Sequence, residues 1–152
     1  MNIGILGAGV VGKNLGIALA KAGHALMLSS RDPQSDTMQA LLSEIGGEAS
    51  AGTAEETVAF GEVIIIAIGW QNGLGDLLTS ISDWSDKVLI DTTNRFGGEH
   101  SRSAAEDISA MTGAPVLKAF NSIGAEFMSN PQIGDTVATL LVCGDEAANA
   151  KA

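Results

Sequence analysis

The chain has 152 residues, of which 45% are hydrophobic and 17% charged, and carries a formal net charge of -10. That length suits one domain with one core, and that apolar content excludes a disordered chain. The negative charge would repel DNA or RNA over most of the surface, which excludes nucleic acid as an expected partner.

The first predicted strand is Asn2–Leu6, "NIGIL", followed at once by "GAGVVG". A helix is predicted over 10–22, because Val11, Leu15, Ala18, Leu19 and Ala22 share one helical face and Gly23 suits the stop. A second strand over 25–30 ends in Ser29 and Ser30 and is followed by Arg31 and Asp32. Pro33 suits the first turn of a helix over 33–45. Asp32 either turns toward a ribose or caps that helix, and its place directly before Pro33 favours the cap.

A weak strand near 48–50, a helix over Ala54–Phe60 and a strand over 61–68 come next. The Gly69-Trp70 turn leads to a helix over 74–81 and a strand over 87–91. The polar loop "NRFGGEHSRS" precedes a helix over 101–112, a strand over 115–119 and a short helix over 123–128. The last predicted strand, 137–143, places the single cysteine, Cys143, in the core. The closing "GDEAANAKA" has the composition of a helix start, so residues 1–152 are expected to form one domain cut short at its C-terminal end. The strong strands are solidly apolar, the pattern of parallel strands covered on both faces. With helices alternating between them, the fold class is α/β, a doubly wound, mostly parallel sheet. The glycine-free apolar stretch "VIIIAI" is too short to span a bilayer, and no Lys or Arg precedes Lys13 as a signal peptide would require. One cysteine makes no disulfide framework. A soluble, cytoplasmic protein is expected.

The spacing Gly7-x-Gly9-x-x-Gly12 lies between a strand and a helix, the context that turns a weak glycine pattern into a dinucleotide fingerprint of the Rossmann type. Gly7 permits the tight turn, Gly9 lets a pyrophosphate approach the backbone, and Gly12 lets the helix pack closely. Gly16, one turn on, supports that packing. With Val10 and Val11, these residues are the candidate phosphate site, because a helix N-terminus presents free N–H groups and partial positive charge. NAD-selective sites usually carry an acid at the end of the second strand. Ser29, Ser30 and Arg31 there suit the 2′-phosphate of NADP instead.

Four segments, "IGILGAGVVGKNLG", "LSSRDP", "VLIDTTNRF" and "VLKAFNSIGAEFM", together resemble the NADP oxidoreductase family that uses the deazaflavin coenzyme F420. "LLVCGDEA" resembles the family's later strand. The resemblance implies NADPH along the C-terminal edge of the sheet, a flavin or deazaflavin acceptor on its nicotinamide, and a homodimer in the full-length protein. It implies that Ser30 and Arg31 bind the 2′-phosphate, and that Gly69, Trp70, Asn94, Ala119, Phe120 and Asn121 border the nicotinamide. Gly69 departs from the apolar residue or proline the family often has there, which leaves the acceptor open.

Hydride transfer between two rings asks little of ionising side chains, so no catalytic side chain and no metal are expected. His24 and His100 are expected at the surface, and Lys13 on an exposed helix face. Asp91 either faces the site or holds the following loop through backbone N–H groups. Trp70 and Phe96 are either walls of the acceptor site or covered apolar groups, and Asn94 and Asn121 either bind ribose or carboxamide or shape their loops. The competing readings are an imine or keto-acid reductase and a non-catalytic NADPH sensor.

Overall fold

The computed structural model describes residues 1–151. Six parallel strands form the body of the sheet: β1 (Asn2–Leu6), β2 (Ala25–Ser29), β3 (Ala49–Gly52), β4 (Val63–Ile66), β5 (Val88–Asp91) and β6 (Val116–Lys118). Two further short strands, β7 (Gln132–Ile133) and β8 (Thr136–Val137), make a separate hairpin, and β9 (Cys143–Gly144) pairs antiparallel with β6. The order across the sheet is β3-β2-β1-β4-β5-β6-β9. The chain runs outward from β1 in one direction and from β4 in the other. The strand order therefore reverses between β1 and β4, which opens a crevice beyond their C-terminal ends.

The helices are α1 (Val10–Lys21), α2 (Asp36–Ile45), α3 (Ala54–Phe60), α4 (Leu74–Ser80), α5 (Ala104–Thr112) and α6 (Glu146–Lys151). Alternate residues of each strand point to opposite faces. Ile3, Ile5, Leu26, Leu28 and Ile65 pack with Leu15 of α1 and with Met38 and Ile45 of α2. Leu6, Ile64, Ile66 and Leu89 pack on the other side with Val58 of α3, Leu78 of α4 and Ile108 of α5. Both faces are covered, which is why these strands carry no polar alternation.

The α/β class, the parallel sheet and the six main strands agree with expectation, and four local details do not. Helix α2 starts at Asp36 with Ser35 as N-cap, not at Pro33. Residues 32–35 are drawn into a turn first: Asp32 Oδ1 accepts the Gln34 N–H at 3.3 Å and Asp32 O accepts the Ser35 hydroxyl at 2.9 Å. Asp32 thus shapes the approach to the helix rather than capping it. The expected helix over 123–128 is a single 3-10 turn, Ala125–Phe127. The expected strand over 137–143 is not continuous. Strand β6 is three residues long, and Leu117 and Lys118 pair with Gly144 and Cys143, which uses its open edge. The apolar run before them lies in solvent, with Val137 65% and Leu141 69% exposed, and Cys143 is exposed rather than in the core. Gly16 also differs in its partner: a Cβ there would lie 3.1 Å from Ile45, so it lets α1 approach α2, not the sheet.

No helix among the described residues is long and apolar enough to cross a membrane.

Candidate functional site

The loops leaving β1, β2, β4, β5 and β6 meet along the C-terminal edge of the sheet. At β1, Gly7 takes φ +117°, and a Cβ on it would lie 2.6 Å from Ala67 O. Only glycine fits that turn without strain. A Cβ on Gly12 would collide with Gly7 O, so α1 starts flush against the turn that precedes it. Gly9 is different: nothing lies within 4 Å of the place where its Cβ would stand. Its face is open space above bare backbone, with Val10 beside it 67% exposed.

The N-terminus of α1 is left open. Its N-cap is Gly9, which offers no side-chain acceptor, and its first turn holds no acid. By contrast, α3 and α5 are closed by full capping boxes, Thr53 with Glu56 and Ser103 with Glu106. The orphan N–H groups of α1 at Val10, Val11 and Gly12 carry partial positive charge with no protein acceptor supplied for it.

At the end of β2, Ser29 is buried and its Oγ accepts the Gly7 N–H at 3.0 Å, which ties the β2 exit to the glycine turn. Ser30 Oγ accepts the Asp32 N–H at 3.1 Å and keeps its own O–H to donate. Arg31 is exposed and forms no ion pair or hydrogen bond among the described residues. Lys13 is committed elsewhere, to Glu44 at 2.6 Å.

The exits of β4, β5 and β6 are tied into one frame. Thr92 donates both its N–H and its hydroxyl to Ile66 O. Trp70, in the 3-10 turn Trp70–Asn72, donates its indole N–H to Thr93 Oγ1 at 3.0 Å. Asp91 is fully buried, and its two oxygens are both used: Oδ1 accepts the Thr93 N–H at 2.8 Å and Oδ2 accepts from Lys118 Nζ at 2.8 Å. Lys118 Nζ donates to Thr93 O as well. Ala119, itself buried, donates its N–H to Asp91 O, and Asn94 Nδ2 donates to Asn121 O at 3.3 Å. Between those two links Phe120 is held at φ +63°, a conformation that costs a bulky residue of order 1–3 kcal/mol and survives only where neighbours impose it. Gly69 precedes this frame in extended conformation.

Two of the open alternatives narrow on this geometry. Asp91 holds the loop through a backbone N–H and also binds Lys118, so its carboxylate is spent on the frame. Asn94 shapes its loop through one amide hydrogen and retains its Oδ1 and a second hydrogen for other partners. Sequence reasoning assigned no role to Lys118, although it lies inside the quoted "LKAFN" run; a lysine closing an apolar strand one position from the edge was the available signal. It also missed the stacking of Arg95 on Trp70, 3.9 Å from the ring centroid, and the Arg95–Asp107 ion pair at 2.7 Å. His24 was expected at the surface and is half-buried instead, with Nδ1 buried and unpartnered. It sits at the start of β2, at the opposite edge of the sheet from the site. His100 is exposed in the loop after β5.

Residues 2–95, well over half the chain, match the family described as NADP oxidoreductase, coenzyme F420-dependent. The chain belongs to that family. It is an NADP-dependent oxidoreductase by that membership. Solved structures share the fold. A protein of Arthrobacter sp. FB24 assigned as an F420-dependent NADP-reductase is 23% identical, with a TM-score of 0.77, over 98% of this chain and 76% of its own. A hypothetical protein from Sinorhizobium meliloti is 24% identical, with a TM-score of 0.83, over 99% and 77%. A reductive aminase from Aspergillus terreus, solved with NADPH and ethyl-5-oxohexanoate, is 19% identical, with a TM-score of 0.66, over 93% of this chain and 46% of its own.

Proposed function

We propose that this protein moves a hydride between NADP(H) and a flavin or deazaflavin-type acceptor. The observation that carries the cofactor half is the α1 N-terminus, uncapped and without acid below an open Gly9, whereas α3 and α5 are closed by capping boxes and α2 and α4 each carry an acid in the first turn. The pyrophosphate lies on the N–H groups of Val10, Val11 and Gly12. Ser30 donates to the 2′-phosphate and Arg31 forks it, with Ser29 acting behind them by holding Gly7 in place. When bound, NADPH would supply a hydride from C4 of its dihydronicotinamide, and the accompanying proton would come from solvent.

The protein's contribution at the reacting end is position. Trp70, Asn94, Ala119 and Asn121 border the ring as parts of one hydrogen-bonded frame, with Gly69 leading into it, and Asn94 keeps a free amide oxygen for a carboxamide or ribose. Fixing two rings in contact removes translational and rotational freedom before the step, which is a large share of what such a reaction needs. No ionising side chain has to move a proton to the reacting carbon.

The test is single-turnover oxidation of NADPH with flavin, deazaflavin, imine and keto-acid acceptors. Transfer to a flavin or deazaflavin, nearly flat between about pH 6 and 8 and unchanged in His24→Ala, is the expected result. Turnover confined to imines or keto acids, with a steep pH dependence, would replace this reading by acid–base reduction. Tight NADPH binding without turnover on any acceptor would make the protein a sensor.

A further inference from the structure

Between the 3-10 turn after β4 and the loop after β5 lies a cleft of about 640 Å³ lined by Trp70, Gln71, Arg95, Phe96, Gly97 and His100. It opens on the same edge as the frame that borders the nicotinamide. We propose that this cleft holds the anionic side chain of the hydride acceptor, a phosphate or carboxylate carried on a flat ring, with Arg95 as the reading group. The inference rests on the acceptor reading above and specifies the half of the acceptor that does not react.

The geometry of Arg95 carries it. The guanidinium lies over the Trp70 indole at 3.9 Å from the centroid, and Nη1 meets Asp107 Oδ2 at 2.7 Å. Trp70 is in turn fixed by its bond to Thr93 Oγ1. The arginine side chain is 14% exposed, so it is held in one orientation before anything binds, and the ordering cost of a long flexible side chain is already met. Its Nε and Nη2 groups have no protein acceptor among the described residues. A guanidinium offers donors only, so the missing partner is an acceptor, and a planar anion suits its fork.

The surroundings set the ligand class. Phe96 stands 85% exposed at the rim, an apolar surface beside a cation. A ligand that covers Phe96 and reaches Arg95 must be apolar and flat at one end and anionic at the other. Of the ionisable side chains, Arg95 and His100 line the cleft, with Asp107 bonded to Arg95 and Glu99 on the same loop, whereas Arg102 lines a separate cavity with Glu106. With Asp107 paired to Arg95 and Glu99 on the same loop, the attraction for an anion comes from the two unpartnered donor groups of Arg95 and not from a net positive loop. Asp107 offsets part of the Arg95 charge, so the effect on affinity is moderate rather than large.

The test compares rings with and without a phosphate. FMN and riboflavin, and their 5-deaza counterparts, are titrated by fluorescence against the protein saturated with NADP⁺, so that no turnover enters the readout. The phosphorylated member of each pair is expected to bind about tenfold more tightly at low salt, the scale of one charge-assisted hydrogen bond. Raising the salt should shrink that preference. Arg95→Gln should bring it close to one while leaving riboflavin affinity within about twofold. Asp107→Asn, which removes the competing carboxylate and leaves Arg95 in place, should raise it. Equal affinity for the two members of each pair overturns the subsite while leaving the acceptor reading intact, and so does a preference that survives Arg95→Gln. If no ring binds, although NADPH does, the acceptor reading and the subsite fall together.

Discussion

Lys118→Met tests the frame that holds the reacting end. The substitution keeps the length and apolar stem of the side chain and removes its charge and donors. Asp91 would remain fully buried, with Oδ1 on the Thr93 N–H and Oδ2 without its cation, and Thr93 O would lose a donor. Breaking one side of a buried ion pair costs about 3–5 kcal/mol, because an uncompensated charge is left behind. A domain of this size has about 5–15 kcal/mol in total and loses about 2–4 °C per kcal/mol, so the melting temperature should fall by roughly 6–20 °C. Thermal unfolding by circular dichroism, with urea titration for the free energy, measures it. The double variant Lys118→Met with Asp91→Asn should recover much of the loss, since the neutral amide can still accept from Thr93 and no charge is stranded. Loss of under about 1 kcal/mol in the single variant, or a double variant that is worse by the sum of both changes, would refute the claim that these residues act as one pair.

Three further outcomes follow from the same geometry. Arg31→Ala should weaken NADPH binding by roughly 10- to 150-fold and leave NADH nearly unchanged, because only the 2′-phosphate is lost as a partner; titration with both nucleotides decides it, and an unchanged preference removes Arg31 as the reader. Gly9→Val should leave the unfolding midpoint close to wild type, since nothing lies within 4 Å of the new Cβ, but should abolish tight NADPH binding; normal binding would place the pyrophosphate elsewhere. The Thr53 and Ser103 backbone N–H groups hold the carboxyls of Glu56 and Glu106 below their ordinary value of 4.5. Folded pKa values that are depressed add stability that is complete above the unfolded value and is lost as pH falls through the folded one. Stability should therefore decline below about pH 4.5, and less steeply in the Glu56→Gln/Glu106→Gln variant, as melting curves between pH 3 and 7 would show.

Where sequence and structure agree, the same physical signal was sufficient in both. Solid apolar runs such as "VIIIAI" can be satisfied only by cover on two faces, and helices of opposite faces supply it. The run over 137–143 carried the same signal and failed, because hydrophobicity states a need for cover but not whether an edge is free to give it. Strand β6 has room for two partners, and Cys143 and Gly144 take both. Boundaries at 33–36 failed for a different reason. Pro33 is compatible with a first helical turn, but Asp32 and Ser35 satisfy one another locally and delay the helix to Asp36.

The site divides along the same line. The glycine turn was legible because each glycine answers a local need: a positive φ at Gly7, a contact at Gly12, open space at Gly9. The frame at the other end was not, because its bonds join residues such as Asp91 and Lys118, or Trp70 and Thr93, that lie on different strands or in the turns that follow them. No periodicity links them, and each alone reads as an ordinary strand end or an exposed charge. Their meeting depends on β4, β5 and β6 being neighbours in one order and register. On the proposed reading, cofactor choice follows from a short segment around Arg31, whereas acceptor choice follows from contacts assembled only by the complete sheet. Exchanging the 92–103 loop between two members of the family should move acceptor preference without moving the NADPH preference set near Arg31. If cofactor preference shifts with that loop, the two ends of the edge are not independent.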